Sequence, residues 1–91
     1  AAEARDAGIV NVVAPRDGLD AAVDELAARV AAGPTRAFGH FRRLADAAFA
    51  TPLADQLEAE RAAFLACTRT ADFREGVSAF LGKRKAAFEG R

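Results

Sequence analysis

The chain has 91 residues, enough for one small domain, and its 13 basic and 13 acidic residues leave no net charge. Such a balance lacks the cationic field that non-specific nucleic-acid binding requires. No apolar run approaches the roughly 18 residues of a membrane span, and the single Cys67 cannot form an internal disulfide. We therefore expect a cytoplasmic protein that binds neither nucleic acid nor a membrane.

The chain has many hydrophobic residues, but most of them have small side chains. Hydrophobic residues make up 52% of the chain, yet many of them are alanines, and Leu, Val, Ile and Phe together are only about a fifth. Alanine packs helices closely but buries little apolar area. We expect independent folding to be marginal and a partner surface to be needed.

The first elements are a helical turn over residues 1–7, which ends at Gly8, and a β-branched run at 9–13. This run, IVNVV, is predicted to be the chain's one strand. A strand needs a neighbour for its backbone hydrogen bonds, and no second strand is predicted. The unpaired strand and the absence of methionine suggest a piece of a longer protein.

The middle of the chain predicts helices separated by glycine and proline. Asp17 is expected to cap the first of them, Gly33-Pro34 to break the pattern, and Thr51-Pro52 to introduce the last. Their apolar spacing gives helices over residues 19–32, 35–50 and 53–68.

The C-terminal run begins with Asp72 and Glu75 at capping-box spacing and reaches a plausible stop at Gly82. Three cations follow, which suits the negative end of a helix dipole. One helix face is apolar and is formed by Val77, Phe80 and Leu81.

This run, DFREGVSAFLGKRKAAF, resembles the tail of the crotonase (enoyl-CoA hydratase/isomerase) superfamily, D-x-x-E-G-x-x-A-F-x-x-K-R-x-x-x-F. Every fixed position is filled, by Asp72, Glu75, Gly76, Ala79, Phe80, Lys83, Arg84 and Phe88. The opening AAEARDAGIVNVV resembles the stretch where the core sheet of these proteins ends. GPT-x-A at 33–37 and the T-x-DFREGV ending most resemble phenylacetate-pathway enoyl-CoA isomerases.

The resemblance implies a mainly α fold, with one short N-terminal strand followed by four to five helices. This would be the helical trimerisation part of a crotonase-like spiral fold. Residues 1–14 would end the core, and residues 15–91 would form a C-terminal cap and oligomerisation domain. The implied function is that of an acyl-CoA hydratase or isomerase segment. Its partners would be an acyl-CoA thioester, an upstream crotonase core and further copies in a trimer or dimer of trimers.

No catalytic or metal-binding residue is predicted within the chain, because the family's catalytic carboxylates lie upstream. No prosthetic group is expected, and coenzyme A enters as part of the thioester substrate. The resemblance implies that Lys83 and Phe80 approach the nucleotide end of coenzyme A in a neighbouring subunit. Without the family resemblance, the three cations would be interpreted only as stabilising a helix C-terminus, by about 0.3–1 kcal/mol. Arg84 is interpreted as structural, bound to an acidic partner.

Two other candidates are interpreted as non-catalytic: His40 as a structural or surface residue, and Cys67 as a packing residue. His40 has no carboxylate among its sequence neighbours to orient it, and Cys67 suits packing in an alanine-rich helix. An alternative hypothesis is a stand-alone helical module that binds a partner protein and has no activity. A helical DNA reader is disfavoured by the zero net charge.

Overall fold

A computed structural model describes residues 1–91 as helices joined by short connections. One turn of 3-10 helix, Arg16–Gly18, leads directly into the second α-helix. The α-helices are α1 (Ala2–Asp6), α2 (Leu19–Ala31), α3 (Thr35–Ala47), α4 (Leu53–Thr68) and α5 (Ala71–Leu81).

The strand expected at residues 9–13 is absent, so the predicted fold class was wrong in that element. No strand or bridge is present anywhere in the chain. The segment instead runs beside α2 and shares a shallow groove with Leu19 and Val23. β-Branched residues favour an extended backbone, but a strand also needs a neighbouring backbone. Since none is present here, all of the regular secondary structure is helical.

Helix α1 ends at Gly8, as the sequence predicted. Gly8 has φ of +72°, its N–H donates to the Arg5 carbonyl at 2.9 Å, and the Ile9 N–H donates to the Ala4 carbonyl at 2.8 Å. These two bonds form a Schellman motif, in which a left-handed residue closes the helix.

The predicted boundaries of the middle helices need small corrections. Asp17 makes no capping hydrogen bond, and Gly18 occupies the N-cap of α2. Helix α3 stops at Ala47, three residues before the predicted end. The Thr51 hydroxyl donates to the Ala47 carbonyl at 2.8 Å, so it closes α3 and does not cap α4.

The helices form a thin layer. Helix α3 packs against α4, and α4 against α5, whereas α2 chiefly contacts the 3-10 helix before it. The molecule measures 42 × 37 × 20 Å, with a radius of gyration of 16.7 Å. A compact domain of this length would have a radius of gyration of about 12 Å.

The layer has almost no interior. Only Ala79 and Asp72 are buried. Large apolar side chains are exposed on every helix from α2 to α5, and Phe49 is exposed in the connection between α3 and α4. The helices therefore present unburied apolar faces, and the need for a partner surface to cover them stays a prediction. None of these helices is both long and apolar enough to cross a membrane.

Candidate coenzyme A-binding tail

The segment after α5, residues 82–91, folds back along that helix and is fixed by Asp72. Asp72 is only 5% exposed, and its carboxylate accepts the Glu89 N–H at 2.7 Å and the Gly90 N–H at 2.9 Å. The Asp72 N–H in turn donates to the Arg91 carbonyl at 2.9 Å. Asp72 is therefore an anchor for the tail, and the prediction that it caps α5 was wrong.

The N-cap of α5 is Thr70. Its hydroxyl accepts the Phe73 N–H at 3.1 Å and donates to the Cys67 carbonyl at 2.7 Å. Because Thr70 satisfies this helix end, the two carboxylates of the first turns are left for other partners.

Glu75 holds the beginning of the tail. Its two oxygens accept from the Arg84 guanidinium at 2.6 and 2.8 Å, and one of them also accepts the Ala87 N–H at 2.8 Å. The Arg84 hydrogen bonds, with a smaller contribution from the Ala87 N–H, lower the pKa of Glu75 to about 2. The same contact raises the pKa of Arg84. Arg84 thus has the acidic partner predicted for it, whereas the capping-box role predicted for Glu75 was wrong.

Lys83 has the unusual backbone of this region, with φ of +49°. Its N–H donates to the Phe80 carbonyl at 3.2 Å and the Arg84 N–H donates to the Ala79 carbonyl at 3.0 Å, which is a second Schellman motif. The left-handed position is therefore Lys83, while Gly82 has φ of −80°. A residue with a Cβ pays about 1–2 kcal/mol for this conformation.

The Lys83 ammonium group is available for a ligand. Lys83 is exposed, and none of the ion pairs in the structure involves it. Phe80, the other predicted site residue, lies one turn earlier and is 83% exposed. The end of α5 thus places a free cation and an uncovered aromatic ring in adjacent turns.

Phe80 also lines an open groove of about 400 Å³ bordered by α3, α4, α5 and the tail. Phe88 closes one side and rests against Gly76, where an added Cβ would meet the Phe88 ring at 3.5 Å. The groove is lined chiefly by apolar groups, among them Pro34, Ala37, Phe73, Val77, Leu81 and Phe88. Its polar exceptions include Arg36 and Thr70.

The remaining candidates do not form a reactive constellation. His40 Nδ1 lies 3.0 Å from Arg43 Nη2. A guanidinium can only donate, so this nitrogen accepts, and the contact supplies no carboxylate to orient the ring. Cys67 is half-buried at the groove. No group of three or more His, Cys, Asp or Glu side chains is arranged for a metal.

The anchoring roles of Asp72 and Glu75 were missed because their spacing also fits a local cap. The available signal was the pair of acids one helical turn apart, followed nine residues after Glu75 by Arg84. Where the chain turns back along a helix after it ends, such a pair of acids can bind the returning segment.

Comparison with known proteins shows which family the whole chain resembles. The model of the enoyl-CoA hydratase/isomerase family matches residues 1–91. The chain is 35% identical to 1,2-epoxyphenylacetyl-CoA isomerase of Escherichia coli, over 100% of this chain and 35% of that protein. It is 43% identical over 65 residues, 71% of this chain, to a Rhodobacter capsulatus protein described as an enoyl-CoA hydratase, and covers 25% of it.

Two solved structures share the fold. An enoyl-CoA hydratase subunit I from Geobacillus kaustophilus superposes with a TM-score of 0.92 at 35% identity. A Mycobacterium abscessus protein described as an enoyl-CoA hydratase/isomerase does so with a TM-score of 0.94 at 34% identity. Each match covers 100% of this chain and 35% of the other.

The chain belongs to the enoyl-CoA hydratase/isomerase family, which confirms the resemblance found in its sequence. It spans about a third or less of the length of these relatives.

Proposed function

We propose that this chain is the C-terminal helical segment of an acyl-CoA hydratase or isomerase, and that residues 15–91 cover the acyl-CoA site. The observation that carries the proposal is the agreement of the whole chain with enoyl-CoA hydratase structures, of which it covers 35%. Residues 1–14 would connect this segment to the upstream core.

The exposed faces of the helices give the segment a mechanical role in this proposal. Phe41, Phe64 and Leu81 are all more than half exposed, and large apolar side chains exposed in such number are normally buried in an interface. The upstream core would cover part of it. Neighbouring subunits of a trimer or a dimer of trimers would cover the rest.

Catalysis would reside outside residues 1–91. Two backbone N–H groups of the core would form an oxyanion hole for the thioester carbonyl and stabilise an enolate, while upstream carboxylates transfer protons. The substrate would be an acyl-CoA thioester, and no prosthetic group takes part. The segment itself would contribute binding and exclusion of water.

Lys83 and Phe80 are the proposed ligand-contacting residues. An ammonium group pairs with a phosphate as a point charge, and a phenyl ring can lie against adenine. Both side chains are exposed at the end of α5, which supports the proposal that they contact a ligand bound to a neighbouring subunit.

The experiment compares Lys83→Ala with Lys85→Ala in the complete protein. Loss of one ammonium–phosphate contact corresponds to about a tenfold rise in KM for an enoyl-CoA ester, or about 1.4 kcal/mol. Lys85 is also an exposed cation, so its replacement controls for general electrostatic attraction. We expect Lys85→Ala to change KM by less than about twofold, and both variants to keep the native assembly mass.

An unchanged KM for Lys83→Ala, or equal effects of the two substitutions, would contradict the ligand contact. The broader proposal is tested separately by turnover of enoyl-CoA esters by the complete protein. Absence of any hydratase or isomerase activity would favour the alternative of a protein-interaction module.

A further inference from the structure

The backbone at Lys83 needs support from its surroundings. Gly8 closes α1 with the same pair of hydrogen bonds and the same sign of φ, but glycine has no Cβ to oppose that conformation. At Lys83 the side chain disfavours it, and such a residue persists only where neighbouring contacts hold it. The two helix ends of this chain thus provide an internal comparison.

The supporting contacts converge on Glu75. Arg84 follows Lys83 directly, and its guanidinium is held by both Glu75 oxygens and by the Ser78 hydroxyl at 3.2 Å. Glu75 also accepts the Ala87 N–H at 2.8 Å. The loop that contains Lys83 is therefore fixed to the middle of α5 on its C-terminal side, while the helix fixes its N-terminal side.

The Glu75 side chain is well placed for this task because it is largely enclosed, with 24% of its side chain exposed against 48% for Arg84. No hydrogen bond or ion pair joins Glu75 to Lys83 itself. The contacts that link Glu75 to the lysine therefore run through Arg84 and the backbone.

We infer that Glu75 is a positioning residue for Lys83: by clamping Arg84 and Ala87 to α5, it holds the left-handed turn from which the lysine ammonium meets a coenzyme A phosphate. This rests on the proposed function, in which Lys83 contacts that phosphate. A lysine has a flexible stem of four carbons, and fixing its backbone lowers the ordering cost of binding.

The test is a double-mutant cycle in the complete protein, with Glu75→Gln, Lys83→Ala and the combination of the two. For each variant we would measure the dissociation constant of free coenzyme A and the kcat and KM of an enoyl-CoA ester. Glu75→Gln should weaken binding about three- to tenfold and raise KM without changing kcat. Because Glu75 acts through Lys83, the double variant should bind no more than about twofold worse than Lys83→Ala alone. Independent, multiplying losses would overturn the inference.

A matched control is Glu58→Gln. Glu58 makes the same two-oxygen contact with Arg61, at 2.6 and 2.8 Å, on the exposed face of α4. Its replacement should leave coenzyme A binding unchanged, and an effect equal to that of Glu75→Gln would overturn the inference. If Glu75→Gln disrupts folding, Arg84→Lys offers a milder variant, since a lysine cannot span both oxygens but keeps the charge. Arg84→Lys should lower the affinity for coenzyme A, as Glu75→Gln does, and an unchanged affinity would overturn the inference.

A backbone readout separates the possible failures. Exchange of the Arg84 amide hydrogen should accelerate in Glu75→Gln, and adding Lys83→Gly should reverse most of that acceleration, because glycine holds the turn unaided. An unaltered Arg84 exchange rate would overturn the inference. A Lys83→Ala variant with normal affinity would instead contradict the proposed phosphate contact, and the inference with it. Normal affinity in Glu75→Gln alone contradicts only the inference.

Discussion

Asp72 shows how one carboxylate can serve two amides when it is buried. Asparagine has the same shape, but one of its two terminal groups is a donor and would face a backbone N–H. We expect Asp72→Asn to lower the free energy of unfolding by about 1–3 kcal/mol, because a buried donor is left unpaired. Denaturant unfolding of the complete protein measures this.

Asp55→Asn is the control for Asp72→Asn. Asp55 also lies in the first turn of a helix, but it is exposed. Both substitutions remove the same favourable charge near a helix N-terminus, so their difference isolates the anchoring of the tail. A loss of stability as large for Asp55→Asn would contradict the role given to Asp72.

Glu75 gives the tail a pH dependence with a defined sign. Its pKa is about 2 in the folded protein, against the usual 4.5. A carboxyl with a depressed pKa stabilises the fold above its unfolded-state value and loses that contribution as the pH falls through its folded-state value. The stability difference between the native protein and Glu75→Gln should therefore be constant above about pH 5.5 and disappear towards pH 2.

Thermal unfolding scans of the native protein and of Glu75→Gln, from pH 7 to pH 2, measure the difference in stability between them. A difference that persists unchanged at pH 2 would rule out the ionised carboxylate as its source.

At the scale of single elements, α5 depends on Thr70 for its start. Thr70→Ala should destabilise the protein by about 1 kcal/mol, since the Phe73 N–H loses its acceptor. The matched control is Thr68→Ala. The Thr68 hydroxyl only donates back to the Leu65 carbonyl within α4, so its loss should change stability by less than about 0.5 kcal/mol.

Urea unfolding midpoints compare these two variants directly. Equal midpoints would show that the Thr70 cap adds nothing to the fold.

The helices were predictable because their limits are local. Gly33-Pro34 and the apolar spacing from residue 53 gave the starts of α3 and α4 without reference to the rest of the chain. The strand at 9–13 was predicted wrongly because pairing depends on a distant backbone, which propensity does not describe. Asp72 and Glu75 were assigned to a cap for a similar reason: the partners of their carboxylates lie 9 to 18 residues away.

The position of Phe80 and Lys83 at the end of α5 could also be predicted, whereas their contact with a ligand stays a prediction. The left-handed backbone at Lys83 could not be predicted. The glycine immediately before it is the residue that sequence rules favour for that conformation, and the choice between them depends on the clamp formed by Glu75 and Arg84.

At the scale of the whole molecule, thickness limits what can be buried. A smallest dimension of 20 Å is about two helix diameters, so nearly every side chain lies close to a surface. We expect isolated residues 1–91 to bind a hydrophobic dye strongly and to unfold with low cooperativity, and the complete protein to do neither.

Dye fluorescence and urea unfolding of both samples at equal molar concentration measure this. A sharp unfolding transition of the isolated chain without dye binding would show that the layer is self-sufficient.

The folded-back tail has a consequence for proteolysis. Lys83, Arg84 and Lys85 are consecutive trypsin sites in a segment whose two ends are tied to α5. A protease needs an extended, locally opened backbone, so cleavage here would report on release of the tail and not on surface exposure alone. The rate at which trypsin removes the residues after Lys83 therefore measures how often the hydrogen bonds of Asp72 and Glu75 to the tail break.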